Sequence, residues 1–438
     1  MIYTSVEKKL PNTFRNRTSL NTDMDEALCD FLPSPRSIYL EICSDCNLHC
    51  AICANDHRYD NSTKGSRLSR KDIKTLFAQL PELPLKVILT GGEPLLHPEL
   101  IGILDDLSKA GVFHAIYTNA CAPIKPELMQ ALCEDSFLAH FTISLHSSNV
   151  EEHEHMTGVK GSFNETSENI VKLRQTGVPL VVNSVLTQQT PSDILGTIRY
   201  ILDLGGCMAG LTKYVRPENQ QVDHFFTTPT FDRLRETSEL IYNEGLEKLV
   251  EVDCGHGCET GLDFHEPCYS ARAFCAIRPD GIVTPCIFSS FELGNIFQEG
   301  FSTIWTSAAA GKWRGNIPST CMDCPKLGQC LAGCRAMDSA PGLGLNVEDG
   351  DAQPADEIKL YKNLFVTPEF DWQLGNFGVF LFQGRHASHL PASDVPLLKA
   401  LERPNTLDEI SQKFGLDALN TIYDLYQDHM VSLKYKRG

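Results

Sequence analysis

Residues 46–53 read Cys-Asn-Leu-His-Cys-Ala-Ile-Cys and directly follow a short apolar, β-rich run. The spacing puts three cysteines on one loop, four and three residues apart. Three thiolates so placed can bind three irons of a cubane iron-sulfur cluster and leave the fourth iron open. A tetrahedral zinc site is the alternative, with Cys43 as its fourth thiolate. The loop therefore predicts a metal centre, of iron-sulfur or zinc type.

A second motif ends the next apolar run, where residues 87–94 read Val-Ile-Leu-Thr-Gly-Gly-Glu-Pro. Its two glycines allow the backbone to approach a ligand closely, and Glu93 adds a hydrogen-bond acceptor. The same residues would also suit a plain turn.

Both motifs lie where strands are predicted to end. From about residue 37 the chain alternates β-rich runs with amphipathic helical stretches, the first of which is opened by Ser69 with Asp72 three residues on. This alternation predicts parallel strands joined by helices, in a barrel or an open α/β sheet, with ligands at the carboxyl ends of the strands. The predicted strands span residues 37–42, 86–90, 114–118, 141–145, 180–186 and 211–215.

Together, the two motifs resemble the radical S-adenosylmethionine (SAM) superfamily, over roughly residues 36–230. The resemblance implies a partial (β/α)6 TIM-like barrel in which Cys46, Cys50 and Cys53 bind one SAM-binding 4Fe-4S cluster through three of its irons. It also implies that SAM occupies the open iron. Electron transfer from the reduced cluster would then cleave SAM to a 5'-deoxyadenosyl radical, which takes hydrogen from the substrate.

The resemblance further implies which residues contact SAM. They are Gly91, Gly92, Glu93 and Pro94 at its amino group, Thr118 and Asn119 near its ribose and, at less specific positions, Ser144 and Arg216. The chain departs from the usual pattern at Ile52, because the residue before the third cysteine is commonly aromatic or histidine. That departure bears on the packing around adenine and not on cluster binding.

A second cysteine-rich region spans residues 254–334 and holds nine cysteines. Its last four cysteines follow the pattern CxxCxxxxxCxxxC, and a Gly-Ile-Val-Thr-Pro-Cys segment at 281–286 lies upstream. Such thiolates could again be ligands of zinc. The arrangement resembles SPASM, an auxiliary-cluster domain of peptide-modifying radical SAM enzymes. The resemblance implies two auxiliary 4Fe-4S clusters.

By that resemblance, the ligands are Cys268, Cys275, Cys286 and Cys334 for the first auxiliary cluster, and Cys321, Cys324 and Cys330 for the second. The domain usually ends with one more cysteine, but no cysteine follows Cys334. Asp356 falls at the corresponding place, and we predict its carboxylate as an iron ligand. The alternative is a solvated charge in an acidic loop. The remaining cysteines suit buried core thiols, among which a hydrogen donor could lie.

Residues 359–438 outline a winged-helix-like domain. A strand is predicted at 379–382, a helix opened by Thr406 and Glu409 as a capping box, a further helical stripe, and a last strand near 431–433. The helical stripe carries acidic side chains and no Lys or Arg, which argues against DNA binding. The outline resembles the leader-recognition domains of peptide-modifying enzymes, which bind an extended peptide by strand addition. A purely structural cap is the alternative.

Composition limits the compartment and the partners. The chain of 438 residues has a net charge of −18, which disfavours nucleic acid, and it has no apolar run long enough for a membrane. With 17 cysteines and no visible secretory signal, we expect a cytoplasmic protein with metal sites. The predicted domains are an N-terminal extension (1–35), the radical SAM partial barrel (36–230), the SPASM domain (231–358) and the winged-helix-like domain (359–438).

The sequence therefore predicts a radical SAM oxidoreductase that oxidatively modifies, and in the first place crosslinks, side chains of a ribosomally synthesised precursor peptide. A flavodoxin or ferredoxin would supply the electron. Two enzymatic alternatives are a maturase of the sulfatase-maturating type and a small-molecule dehydrogenase. A non-catalytic zinc-binding module is the most distant alternative.

Overall fold

A computed structural model describes most of the chain. The described residues are 31–253, 268–316, 334–336 and 365–434, with gaps inside these ranges at 32–33, 55–64, 206, 216–225, 227–228, 247–248, 335, 369–370, 376–377, 384–385, 391, 404, 416–417, 419–420, 423–424 and 426–429. Residues 24–350 belong to one compact unit, and residues 351–438 belong to a second.

Seven parallel strands form the centre of the first unit, and they follow one another in the sheet in chain order. They are β1 (Ser37–Cys43), β2 (Lys86–Gly91), β3 (Phe113–Thr118), β4 (Leu138–Ser144), β5 (Leu180–Leu186), β6 (Cys207–Lys213) and β7 (Val250–Asp253). The helices between them are α1 (Arg70–Phe77), α2 (Leu100–Lys109), α3 (Pro126–Glu134), α4 (Val150–Thr157), α5 (Ser162–Leu173), α6 (Pro191–Asp203) and α7 (Phe231–Asn243). The predicted α/β partial barrel is confirmed, with a seventh strand added to the predicted six.

The strands bury one face against the helices. On β1, Ile38, Leu40 and Ile42 belong to the hydrophobic core, whereas Tyr39 and Glu41 lie on the opposite, inner face. A register shift between Glu41 and Cys43 gives the strand a bulge at its carboxyl end, where the cysteine loop begins. The side chains that line the inner face of the barrel are therefore separate from the residues that stabilise it.

The sixth strand begins four residues before its predicted start. Its first residues, Cys-Met-Ala-Gly at 207–210, include no β-branched or aromatic side chain and give a weak strand signal. Their conformation is set by β5, with which they pair in register from Leu180–Cys207 to Leu186–Lys213. Pairing across the sheet thus decided a boundary that local propensity could not.

The second cysteine-rich region continues the same sheet. Strand β8 (Phe274–Ile277) pairs in parallel with β1, β9 (Ile282–Thr284) pairs antiparallel with β8, and β10 (Gly294–Asn295) completes the edge. Three short helices follow, α8 (Ile296–Glu299), α9 (Phe301–Trp305) and α10 (Ala308–Arg314). The edge of β1, which a barrel would otherwise leave open, is covered by β8.

The C-terminal unit contains two three-stranded sheets. Its strands are β11 (Phe365–Pro368), β12 (Asp371–Gly375), β13 (Gly378–Gln383), β14 (His386–Leu390), β15 (Asn405–Thr406) and β16 (Val431–Lys434), and its helices are α11 (Val395–Leu401) and α12 (Leu407–Phe414). The sheet orders are β15-β11-β16 and β12-β13-β14. The capping box is present, because Thr406 Oγ1 accepts from Glu409 N at 3.2 Å and Glu409 Oε2 accepts from Thr406 N at 2.8 Å. The winged-helix outline as a whole stays a prediction.

In the described part of the chain, none of the helices combines the length and the apolar character needed to cross a bilayer.

Candidate active site

The cysteine loop and the Gly-Gly-Glu-Pro segment meet at the carboxyl ends of β1 and β2. Gly92 N donates to Cys43 O at 2.7 Å, and Glu93 N donates to Asp45 O at 2.8 Å. A Cβ on Gly92 would lie 1.9 Å from Asp45 O, and one on Gly91, whose φ is +126°, would lie 2.3 Å from Cys43 O. Both glycines are thus required by the backbone of the cysteine loop, which passes directly over them.

The carboxylate of Glu93 lies fully buried beneath this contact. Its Oε1 accepts from Thr118 Oγ1 at 2.6 Å and from Leu95 N at 2.9 Å, and its Oε2 accepts from Asn119 N at 2.8 Å. A buried carboxylate needs such donors, because desolvation without them would be very costly. Glu93 therefore connects the end of β2 to the end of β3, because its carboxylate oxygens accept hydrogen bonds from the protein itself.

Asn119 extends this network to the first cysteine. Its Nδ2 donates to Asn47 Oδ1 at 3.0 Å and to Cys46 Sγ at 3.5 Å, and Leu48 N also donates to Cys46 Sγ at 3.5 Å. Asn47 Nδ2 in turn donates to Cys121 O at 2.8 Å. The thiol of Cys46 is thus placed as an acceptor of two N–H groups at the ends of β1 and β3.

The end of α4 supports the loop from its other side. Ala51 N donates to Met156 O and His49 N donates to Thr157 O, both at 3.0 Å. The helix ends at Gly158 with φ +69°, where a Cβ would lie 2.6 Å from His49 O. The cysteine loop is therefore clamped between the backbone of α4 and the glycines of β2.

Ile52, the residue that departs from the family pattern, is buried. It packs in an apolar cluster with Met156, Tyr214 and Phe226. The cluster places two aromatic rings beside the aliphatic side chain at position 52. Aromatic packing near the loop is thus supplied by residues distant in sequence.

Cys43, at the end of β1, is bonded to the Gly-Gly-Glu-Pro segment. It is fully buried, its Sγ donates to Glu93 O at 3.4 Å, and burial, assisted by the charge of Glu93, raises its pKa to about 12. Cys46, Cys50 and Cys53 are half-buried instead. The four thiols, all of described residues, do not converge on a single-ion site, so Cys43 does not complete a four-thiolate zinc site.

The inner face of the barrel carries a row of rings and hydroxyls that the sequence analysis did not identify. Ring centroids of Phe274, Tyr39, Tyr117 and His140 follow one another at 5.9, 5.9 and 6.3 Å. Thr142 Oγ1 is buried there without a hydrogen-bond partner among the described residues. The alternation of side chains along each strand could have indicated these residues, because they occupy the positions between core residues.

Ser144 and Arg216 are the two remaining predicted SAM contacts. Ser144 ends β4, half-buried, in register with Asn183 of β5, and Thr212 Oγ1 donates to Asn183 Oδ1 at 2.9 Å. Ser144 therefore lies on the carboxyl edge of the sheet with the other predicted site residues. Arg216 lies outside the described residues.

In the second cysteine-rich region, Cys275 differs from its neighbours. It lies on β8 opposite Ile38 of β1, completely buried in the hydrophobic core, and burial alone raises its pKa far above the usual range. Cys286 has a raised pKa as well, through burial first and then through the charges of Cys334 and Cys268. Cys268 and Cys334 thus lie close enough to Cys286 to act on it electrostatically, whereas Cys275 faces the core.

The loop that carries Cys268 is fixed by the end of α10. Ser270 Oγ accepts from Cys268 Sγ at 3.3 Å and from Trp313 Nε1 at 3.0 Å. Arg314 Nε donates to Ala271 O at 2.6 Å, at a residue whose φ is +55°. A strained turn is therefore held by two buried side chains directly beside a candidate ligand. Cys321, Cys324, Cys330 and Asp356 lie outside the described residues.

The donor set at the first loop fits an iron-sulfur cluster. Thiolates are soft ligands that suit iron-sulfur clusters, and N–H groups directed at a sulfur are a common feature of such sites. Among the described residues, no three Cys, His, Asp or Glu side chains converge closely enough to bind a single metal ion. A cubane occupies more space than one ion, so wider separation of the three thiols is compatible with it.

Comparison with known proteins decides between these possibilities. A family model described as the radical SAM superfamily matches residues 40–201, and one described as an iron-sulfur cluster-binding domain, SPASM, matches residues 268–325. The chain carries a radical SAM domain followed by a SPASM domain. The zinc alternatives are thereby replaced by 4Fe-4S clusters, and the radical SAM domain includes the cysteine loop and the Gly-Gly-Glu-Pro segment.

The relatives include enzymes of different substrate classes. An AdoMet-dependent haem synthase of Methanosarcina barkeri is 25% identical over 326 residues, covering 69% of this chain and 92% of that protein. A PqqA peptide cyclase of Ruegeria pomeroyi is 24% identical over 324 residues, covering 69% and 83%. Among solved structures, Streptococcus suis SuiB bound to precursor peptide SuiA has a TM-score of 0.59 at 18% identity, covering 72% of this chain and 74% of that one. The likeness to SuiB concerns the fold alone.

The glycine contact within the radical SAM domain generates a prediction. Gly92→Ala places a Cβ 1.9 Å from a backbone oxygen and should lower the free energy of unfolding by about 3 kcal/mol, because the clashing atom belongs to the backbone. Gly311→Ala, in α10, is the matched control, since a Cβ there meets no described atom within 4 Å and should be neutral or stabilise by up to about 1 kcal/mol. Denaturant unfolding measures both, and equal stability of the two variants would contradict the close contact.

Proposed function

We propose that this chain is a radical SAM enzyme that crosslinks, or otherwise oxidatively modifies, side chains of a ribosomally made precursor peptide. The observation that carries the proposal is the similarity to PqqA peptide cyclase, which extends over 69% of this chain and 83% of that protein. The SuiB structure, which is bound to a precursor peptide, shares the fold.

The chain has a further portion beyond what its relatives match. The haem synthase and the peptide cyclase each match 69% of this chain and leave the rest unmatched. The C-terminal unit, with its two small sheets, is available for a role that a small substrate would not need. Exposed sheet edges bind extended peptides by strand addition, which supports leader recognition by this unit.

In this proposal, Cys46, Cys50 and Cys53 hold the SAM-binding 4Fe-4S cluster, and the segment Gly91–Pro94 holds the amino group of SAM. When bound, these cofactors supply a 5'-deoxyadenosyl radical that removes hydrogen from the substrate. A low-potential donor such as flavodoxin or ferredoxin supplies the electron. The buried carboxylate of Glu93 keeps the Gly91–Pro94 backbone fixed, so that its carbonyl groups can face the SAM amino group.

The inner face of the barrel positions the substrate and excludes water. The rings of Tyr39, Tyr117 and Phe274 supply an apolar surface, and Ser144 supplies a hydroxyl group. Water exclusion is needed because a radical near solvent is lost to side reactions. These side chains can contact a peptide without taking part in cluster binding.

The first prediction of this proposal concerns the loop. Cys50→Ala should lower 5'-deoxyadenosine formation by at least about 100-fold, because one of three protein thiolates is lost from the cluster. Cys43→Ala is the matched control. It should retain most of the activity and lose about 1 kcal/mol of stability, because this thiol is buried in the core. Dithionite-reduced, anaerobically reconstituted protein is assayed in both cases, and equal loss in both variants would refute the ligand set.

We further propose that Cys268, Cys286 and Cys334 bind the first auxiliary cluster and that Cys275 does not. The resemblance to SPASM implied Cys275 as a fourth ligand. Its place on β8, opposite Ile38, argues against that role, because its thiol belongs to the hydrophobic core cluster, which includes none of the other three cysteines.

Iron analysis of two variants tests this ligand set. Cys275→Val fills the same space in the core and should leave the iron content and the electron paramagnetic spectrum unchanged. Cys286→Ala should lose about four irons per chain. A comparable iron loss in Cys275→Val, with unchanged thermal unfolding, would restore Cys275 to the ligand set.

The peptide-modifying function is tested by co-expression with any short peptide whose reading frame adjoins this gene. The expected product is a peptide that has lost two hydrogens for each crosslink, detected by mass spectrometry.

Removal of residues 365–438 should leave 5'-deoxyadenosine formation measurable but weaken peptide binding by at least about tenfold. Unaltered leader binding by the shortened chain would leave the C-terminal unit as a structural cap. Modification of a folded sulfatase or of a small molecule alone would refute the peptide proposal.

A further inference from the structure

The backbone of Asn119 is fixed from two sides. Its N–H donates to Glu93 Oε2 at 2.8 Å, and its carbonyl accepts from Thr166 Oγ1 at 2.9 Å. The partner on one side is a fully buried carboxylate, and the partner on the other is a buried hydroxyl of α5. Asn119 therefore cannot shift without breaking bonds to both neighbouring elements.

The orientation of its side-chain amide follows from the same network. Oδ1 accepts from Cys121 N at 2.7 Å, so Nδ2 has to face the other way, toward Asn47 Oδ1 at 3.0 Å and Cys46 Sγ at 3.5 Å. The opposite amide assignment would set an N–H against an N–H at Cys121 and remove the donor to the sulfur. Both hydrogens of Nδ2 are thus used within the protein.

The turn that holds Asn119 is strained. Ala120 has φ +50°, a left-handed conformation that is unfavourable for a residue with a Cβ. It is held there by Thr118 Oγ1, which accepts from Ala120 N at 2.8 Å, and by the buried Asn169, whose Nδ2 donates to Ala120 O at 2.8 Å. Strain maintained by dedicated side chains is typical of functional sites. Its effect here is to place the Asn119 amide beside Cys46.

We propose that Asn119 is a positioning residue that donates an N–H···S hydrogen bond to the Cys46 thiolate and raises the reduction potential of the SAM-binding cluster. This inference rests on the proposed function, in which Cys46 is a cluster ligand. Hydrogen bonds to cluster sulfurs are among the factors that set the potential, because the reduced cluster carries more negative charge on its sulfurs. Because both Nδ2 hydrogens are engaged, the amide has no donor left for the ribose of SAM.

Two variants of the full-length, anaerobically reconstituted protein test the role of Asn119. Asn119→Asp keeps an oxygen that accepts from Cys121 N, but it removes the donations of Nδ2 to Cys46 Sγ and to Asn47 Oδ1 and adds a negative charge. Asn119→Ala removes the same donations without adding a charge, so it is the decisive variant. The midpoint potential of the cluster is measured without SAM, by titration monitored by electron paramagnetic resonance. We expect a more negative midpoint potential in both variants, with wild-type iron content and a SAM dissociation constant within about threefold of the wild type. An unshifted midpoint potential would overturn the inference, and so would a SAM affinity loss that occurs without a shift.

Asn169→Ala is the matched control, because it loosens the same turn without removing the N–H···S donor. Its midpoint potential should stay closer to the wild type than that of either Asn119 variant, and an equal shift would assign the effect to the turn alone. If one Asn119 variant assembles its cluster poorly, the other variant is compared with the wild type by electron-nuclear double resonance, which detects the proton of the N–H···S hydrogen bond directly. The wild type should show an exchangeable proton coupled to the reduced cluster that is missing in the variant, and a retained coupling would overturn the inference.

These results separate the inference from the proposed function. A wild-type protein that binds no iron through Cys46, Cys50 and Cys53 would refute the proposed function itself. A wild-type cluster that cleaves SAM, combined with unshifted Asn119 variants, would refute only the role of Asn119.

Discussion

The buried carboxylate of Glu93 is the interaction on which the catalytic edge of the barrel depends. It receives hydrogen bonds from a hydroxyl and two backbone N–H groups, and these come from the ends of β2 and β3. A carboxylate removed from water is tolerated only when such donors replace its hydration, so the surrounding backbone has very little freedom. The Gly91–Pro94 segment, the turn after β3 and the cysteine loop are thereby held in one fixed arrangement.

The glycines beside Glu93 complete this arrangement by removing steric bulk. At Gly92, the backbone oxygen of Asp45 occupies the space that a Cβ would need. On the opposite side, the cysteine loop is bonded to the carboxyl end of α4. A loop held on both sides by backbone contacts keeps its thiols in place before a cofactor binds, and pre-organisation of this kind lowers the cost of binding.

The continuous sheet relates the two cysteine-rich regions to each other. Because β8 pairs in parallel with β1, the strand that leads to the first cysteine loop is hydrogen-bonded to the strand that follows Cys268. The SPASM domain is therefore an extension of the barrel sheet as well as a cluster-binding domain. Its first cysteine loop depends on Trp313 and Arg314, which lie more than forty residues further along the chain. Residues that bind no metal thus determine where the candidate ligands lie.

The sequence by itself determined the class of fold and the main chemistry. Cysteine spacing, the Gly-Gly-Glu-Pro segment and the alternation of strands and helices are local patterns, and local patterns are what single-sequence analysis can detect. Only the tertiary structure decided that Cys275 faces the core, that Cys43 bonds to Glu93 O and that Asn119 directs its amide at Cys46. These facts depend on strand register and on contacts between residues about 50 to 240 positions apart, and no local spacing encodes them. The limits of β6 were likewise set by pairing with β5, because the first residues of β6 have little strand propensity of their own.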